Sequence, residues 1–147
     1  MTPDYLLDTS IISLLAPDRP ELSQDFAKWI ESRQDRLFLS AITILEIEQG
    51  INKLRRAGGT ARADRLTQWL NAILDDFSDR ILVVDANVAR VAGIMSDAAI
   101  AAGEHPGLAD LLIAATAKAH SALVLTRNGR HFAALGLGFA DPLEKLP

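Results

Sequence analysis

The sequence contains no cysteine in its 147 residues. That absence excludes a disulfide framework, a zinc–thiolate site and a thiol nucleophile, so any metal must be held by oxygen or imidazole donors. Hard cations are favoured. Aromatic residues are scarce, with two Trp, one Tyr and five Phe, which argues against an all-β barrel drawing on Tyr, Trp and Thr. No apolar run is long and uninterrupted enough to span a bilayer, and Met1 to Asp8 lacks the basic segment and apolar stretch of a secretory leader. The chain is therefore expected to be cytoplasmic, with no membrane association. Excess positive charge is missing too: a formal net charge of −4 argues against binding nucleic acid over a broad basic surface. Local contact stays open through Lys53, Arg55, Arg56, Arg62 and Arg65 in one stretch, and through Arg127 and Arg130 in another. A solvated helix face explains the first stretch equally well.

What is present is a 49% hydrophobic chain in which Ala, Leu, Ile and Val predominate, enough for one continuous core and one domain over residues 1–147. Short apolar runs at Tyr5–Leu7, Leu37–Leu39, Ile81–Val84 and Leu123–Leu125 read as buried strands. Between them, 3.6-residue periodicity predicts helices over Glu21–Ser32, from the N-cap Ser40 to Gly58-Gly59, and over Thr60–Phe77, Ala86–Ala102 and Leu108–His120. Gly103 is placed to terminate the fourth of these helices. Strands alternating with helices imply an α/β fold, a three-layer α/β/α sandwich around a central, mostly parallel sheet.

Open α/β sheets place their sites beyond the carboxyl ends of the strands. Asp8 directly follows the first strand, Thr126 to Asn128 follow the last, Glu46 lies two turns into the helix after the second, and Asp110 opens the final long helix. Each acid alone has a bland use: Asp8 as a helix cap, Asp110 at the positive end of its helix, Glu46 in a surface salt bridge to Lys53. Gathered at one sheet end without matching Lys or Arg, three carboxylates repel one another, and a cation resolves that cost. Mg²⁺ takes a few carboxylates, keeps several waters and completes its shell with substrate phosphate oxygens. Mn²⁺ fits the same ligands.

Four segments resemble the PIN-domain family, specifically the toxin ribonucleases of bacterial VapBC-type, type II toxin–antitoxin pairs. They are Leu7-Asp8-Thr9-Ser10, Ser40-Ala41-Ile42-Thr43-Ile44-Leu45-Glu46-Ile47, Leu108-Ala109-Asp110-Leu111-Leu112-Ile113-Ala114-Ala115-Thr116-Ala117 and Thr126-Arg127-Asn128-Gly129-Arg130-His131-Phe132. The resemblance implies a PIN-like fold and a metal-dependent endoribonuclease in which Asp8, Glu46 and Asp110 bind Mg²⁺ or Mn²⁺ and carry the catalysis. The family's fourth acidic position falls at Asn128, with His131 nearby as a helper. Thr9 and Thr126 would hydrogen-bond a ligand or phosphate, and Arg127 or Arg130 would hold the RNA backbone. Water attacking in line at the scissile phosphate would leave a 5′-phosphate and a free 3′-hydroxyl, with Asp110 or Glu46 as general base.

The resemblance further implies a homodimer and a small cognate antitoxin that wraps the helices and blocks the acidic pocket. The apolar faces of Ile44 to Leu54 and Leu66 to Phe77 are candidate docking surfaces. A haloacid-dehalogenase-type phosphatase is disfavoured because Ser10 stands where a second Asp is required, and a dinucleotide site because no Gly-rich turn follows the first strand. The alternative that Asn128 keeps open is a weakly active or inactive PIN-type module acting with an antitoxin in an autoregulatory DNA-binding complex.

Overall fold

All three residues of strand β1 (Tyr5–Leu7) are buried, as expected of a central parallel strand covered on both faces. The computed structural model describes residues 2–147; Met1, the first residue of the expected domain, lies outside the described residues. Strands β2 (Leu37–Ser40), β3 (Ile81–Leu82), β4 (Leu123–Leu125) and β5 (Phe139–Ala140) complete a five-stranded sheet of order β3-β2-β1-β4-β5. Every pairing is parallel. The sheet lies between two helical layers, the three-layer sandwich that the alternation of elements predicts.

Pleating assigns alternate residues to the two layers. Tyr5, Leu7, Leu37, Leu39 and Leu125 pack with Ile11, Phe26, Trp29, Ile47, Ile51, Leu70 and Ile73 on one face. Leu6 and Val124 pack with Val88, Met95, Ile113, Ala114 and Phe132 on the other. The helices concerned are α1 (Thr9–Ile12), α2 (Gln24–Ser32), α3 (Ala41–Arg56) and α4 (Thr60–Asp76) for the first layer. The second is built from α5 (Ala86–Ala101), α6 (Leu108–Ala119) and α7 (Gly129–Ala133). Trp29 meets Tyr5 edge to face within the first core, so it serves packing.

Local chemistry explains most boundaries. Helix α2 starts at Gln24, three residues later than its sequence pattern suggests, because the Ser23 hydroxyl accepts the Phe26 N–H at 3.2 Å. Ser40, the last residue of β2, caps α3 by accepting the Ile42 N–H at 3.0 Å, so strand and helix join without a loop. Helix α5 closes where expected: Gly103 adopts φ 82°, donating to Ile100 while Glu104 donates back to Ala99. This left-handed turn is one that glycine enters without a Cβ penalty.

Two expectations are revised. The run Ile81–Val84 pairs only through Ile81 and Leu82, because β2 ends at Ser40 and offers Val83 no partner; Val83 is 62% exposed. The apolar faces of α3 and α4 are largely spent on each other and on the sheet, with Ile47, Ile51, Leu70, Ile73 and Phe77 buried, so they are not open docking surfaces. Among the described residues, no helix is long and apolar enough to cross a membrane.

Candidate functional site

Asp8 is the first residue past β1, where its N–H donates to the Leu125 carbonyl at 2.9 Å and extends the ladder by one bond. It occupies the N-cap position of α1, but its side chain caps nothing. Instead Asp8 Oδ2 accepts the Ser10 hydroxyl at 2.9 Å and the Thr126 hydroxyl at 2.8 Å. A carboxylate only 4% exposed is thereby held by two hydroxyl donors and, among the described residues, by no cation. The same hydroxyls fix the strand-end loop: Ser10 Oγ accepts the Arg127 N–H at 3.0 Å, and Thr126 Oγ1 accepts the Asn128 N–H at 2.9 Å.

Glu46 projects from the second turn of α3, and its Oε1 accepts the Thr9 hydroxyl at 2.6 Å. No ion pair joins it to Lys53 among the described residues. Burial raises the Glu46 carboxyl above its usual 4.5; the Thr9 hydrogen bond opposes this, and repulsion from Asp8 and Asp110 adds to the rise. Glu46 thus feels the charge of both aspartates. Asp110 sits in the first turn of α6, which runs back toward the start of β4 and so begins near the carboxyl edge of the sheet. Its Oδ2 lies 2.9 Å from His131 Nδ1.

All three acids line one open cleft of about 590 Å³, together with Thr9, Ser10, Ser13, Arg19, Arg127, Asn128 and His131. Among the described residues, no three His, Asp or Glu side chains are grouped closely enough to hold a metal ion as they stand. Asp8 is anchored through one oxygen by Ser10 and Thr126 and Glu46 through one oxygen by Thr9, while one Asp110 oxygen lies against the His131 ring; the other oxygen of each has no partner among the described residues. Oxygen donors lining an open cleft are of the chemical type that suits a hydrated Mg²⁺ or Mn²⁺, an ion that keeps part of its water shell.

The remaining residues singled out from sequence divide. Thr9, Arg127, Asn128 and His131 line the cleft. Arg130 does not; it borders a neighbouring depression with His105, Asp110 and His131. Thr126 is fully buried with its hydroxyl engaged on both sides, so it supports Asp8 instead of meeting a ligand. Ser10, Ser13 and Arg19 were not selected from the sequence. The Asp8-Thr9-Ser10 spacing could have flagged Ser10, whereas Arg19 sits in a loop with no local signal. Replacing Thr126 with Val is expected to cost about 1–3 kcal/mol, because the buried Asp8 carboxylate loses one of its two donors and the Asn128 N–H loses its acceptor. Chemical denaturation should show that loss, with Thr126→Ser recovering most of it; a Val variant as stable as the parent would contradict the account.

A family model described as PIN domain matches residues 5–136. The chain is 34% identical over 143 residues to the VapC ribonuclease Y4jK of Sinorhizobium fredii, covering 95% of this chain and 97% of that protein. It is 35% identical over 139 residues to toxin FitB of Neisseria gonorrhoeae, covering 93% and 96%. The crystal structure of FitAcB from Neisseria gonorrhoeae superposes with a TM-score of 0.81 at 34% identity, covering 95% of this chain and 98% of that one.

Proposed function

Because the chain belongs to the PIN-domain family, we propose that it is the toxin of a type II toxin–antitoxin pair and acts as a metal-dependent endoribonuclease. The observation that carries this reading is the cleft itself: Asp8, Glu46 and Asp110, brought from three separate elements, each with one oxygen anchored and one free. The ribonuclease and toxin names of its relatives supply the substrate class and biological setting.

A bound Mg²⁺ or Mn²⁺ would supply Lewis acidity and a water of lowered pKa for attack on the phosphate. Asp8, Glu46 and Asp110 would hold it through their unengaged oxygens. Ser10 and Thr126 fix the Asp8 carboxylate, Thr9 fixes Glu46 and His131 fixes Asp110, so the ligands are oriented before substrate arrives. Glu46 or Asp110 would accept the attacking water's proton if its carboxylate did not also ligate the metal. Arg127 at the cleft wall contacts the RNA backbone, and Arg130, in the adjoining depression that shares Asp110 and His131 with the cleft, would extend that contact. Asn128 offers only a neutral oxygen at the fourth corner.

By the same analogy, a cognate antitoxin covers the acidic cleft and the toxin forms a homodimer in the cytoplasm. Purified protein should cleave single-stranded or looped RNA with Mg²⁺ or Mn²⁺, stop in EDTA, and lose activity in Asp8→Asn. Cleavage undiminished in EDTA or in the variant would sink the catalytic reading. Absence of a ready-made cage and the neutral Asn128 favour one rival, a weakly active module working in an antitoxin–DNA complex. Strong DNA binding with antitoxin but no metal-dependent cleavage would select it.

A further inference from the structure

Two arginines, Arg19 and Arg127, line the same cleft as the three carboxylates. Among the described residues neither guanidinium takes part in an ion pair. Arginines beside carboxylates ordinarily pair with them, often through two parallel hydrogen bonds. Here hydroxyls and an imidazole already orient the acids, and the arginines stand back from them.

The placement of Arg19 is constructed. Asp18, immediately before it, adopts φ 64°, an uncommon left-handed conformation for a non-glycine residue. Pro20, immediately after it, biases the Arg19 backbone toward an extended conformation. Arg65, on α4, grips the turn: its Nε and Nη2 each lie 2.9 Å from Asp18 Oδ2. The loop is thus tied to a packed helix at the residue before Arg19. Both Arg19 and Arg127 also border the adjoining depression walled by Leu14, Leu22 and Phe26, so they stand on the rim between the two.

We infer that Arg19 and Arg127 form a two-armed clamp for an RNA backbone phosphate at the rim of the acidic cleft, with the Asp18–Arg65 pair as the latch that presents Arg19. The inference rests on the ribonuclease reading and adds to it a binding residue, Arg19, and a positioning pair. Two cations lining the cleft beside three acids offset part of the repulsion a polyanion would meet there. A planar guanidinium suits phosphate oxygens, and single-stranded RNA needs such contacts irrespective of sequence.

The test uses the full chain with Mg²⁺ and a short fluorescent single-stranded RNA, reading KM and kcat, and RNA affinity against salt in an Asp8→Asn background. Arg19→Ala and Arg127→Ala should each raise KM about tenfold with kcat little changed, and each should lower the slope of log affinity against log salt by about 0.7. Asp18→Gly keeps the left-handed turn but releases Arg65, and should raise KM by a smaller factor. Arg90→Ala, an exposed arginine on α5 away from the cleft, serves as the charge control. Melting temperatures of these surface variants should match the parent. An Arg19→Ala enzyme with parental KM and salt slope, or an equal slope change in Arg90→Ala, overturns the clamp while leaving the ribonuclease reading intact. A parent protein that neither binds nor cleaves RNA overturns both.

Discussion

Glu46→Gln is expected to reduce RNA cleavage on the order of a hundredfold or more while raising the melting temperature of the metal-free protein at neutral pH. The two effects have one origin. Burial disfavours the Glu46 carboxylate, and the nearby charges of Asp8 and Asp110 add to that cost against the opposing Thr9 hydrogen bond. Glutamine keeps an oxygen for Thr9 and removes the charge. Because the folded-state pKa lies above the usual 4.5, the folded protein holds the Glu46 proton more tightly than the unfolded chain. The parent is therefore relatively most stable below 4.5 and loses stability as pH rises through the raised value. The advantage of the variant should accordingly be small in acid, grow as pH climbs through that window and then level off. Added Mg²⁺ should narrow the gap by stabilising the parent more than the variant, since a ligand that binds only the folded state raises its stability. Thermal melts across pH, with and without Mg²⁺, check both parts; a metal-free variant less stable than the parent at neutral pH would show that the cleft is not under charge strain.

Phe132→Ala is expected to cost about 3–5 kcal/mol, the range for truncating a fully buried aromatic side chain. Phe132 is wholly inaccessible and is the buried residue of the short helix α7, which it anchors in the core with Val124 and Ile113. A five-residue helix has little stability of its own, so its position depends on this side chain. A neighbouring contact is close too: a Cβ on Gly129 would come within 2.2 Å of the Phe139 ring, so any larger residue there would have to displace the ring that β5 lays over the start of α7. His131, beside Phe132, reaches Asp110 only while α7 is seated. Truncation should therefore lower the melting temperature by roughly 10 °C, using the usual 2–4 °C per kcal/mol for a domain of this size. It should also reduce cleavage below what the folded fraction accounts for, measured well under the melting transition. Phe132→Leu, which refills most of the volume, should recover the larger part of both losses. An Ala variant melting within a degree or two of the parent would mean that α7 is not anchored through Phe132.

Local pattern in the sequence already determined the sandwich. Apolar triplets at Tyr5–Leu7 and Leu123–Leu125 are long enough to read as buried strands, and the 3.6-residue stripes around Ile47, Ile51, Leu70 and Ile73 demand a core to face. Chain order alone puts Asp8, Glu46 and Asp110 near one edge of the sheet. The four PIN-like segments made that edge a candidate metal site. Strand β5 was invisible because Phe139–Ala140 is too short to carry a period; its pairing with Val124 and Leu125 exists only across the fold. For the converse reason β3 stops at Leu82, where β2 runs out of partners.

The same division runs through the cleft. Residue type and position identified the three acids, but only the folded chain decided which of their oxygens remain free, because hydroxyls distant in sequence hold the others: Thr126 reaches Asp8 and Thr9 reaches Glu46. It also moved Thr126 from the cleft wall to the support beneath it, set Arg130 outside and brought Arg19 in. Composition and periodicity are properties of neighbours along the chain, and they determine which surfaces must be buried. Hydrogen bonds between remote residues depend on strand register and loop conformation, and these take definite values only when the layers pack.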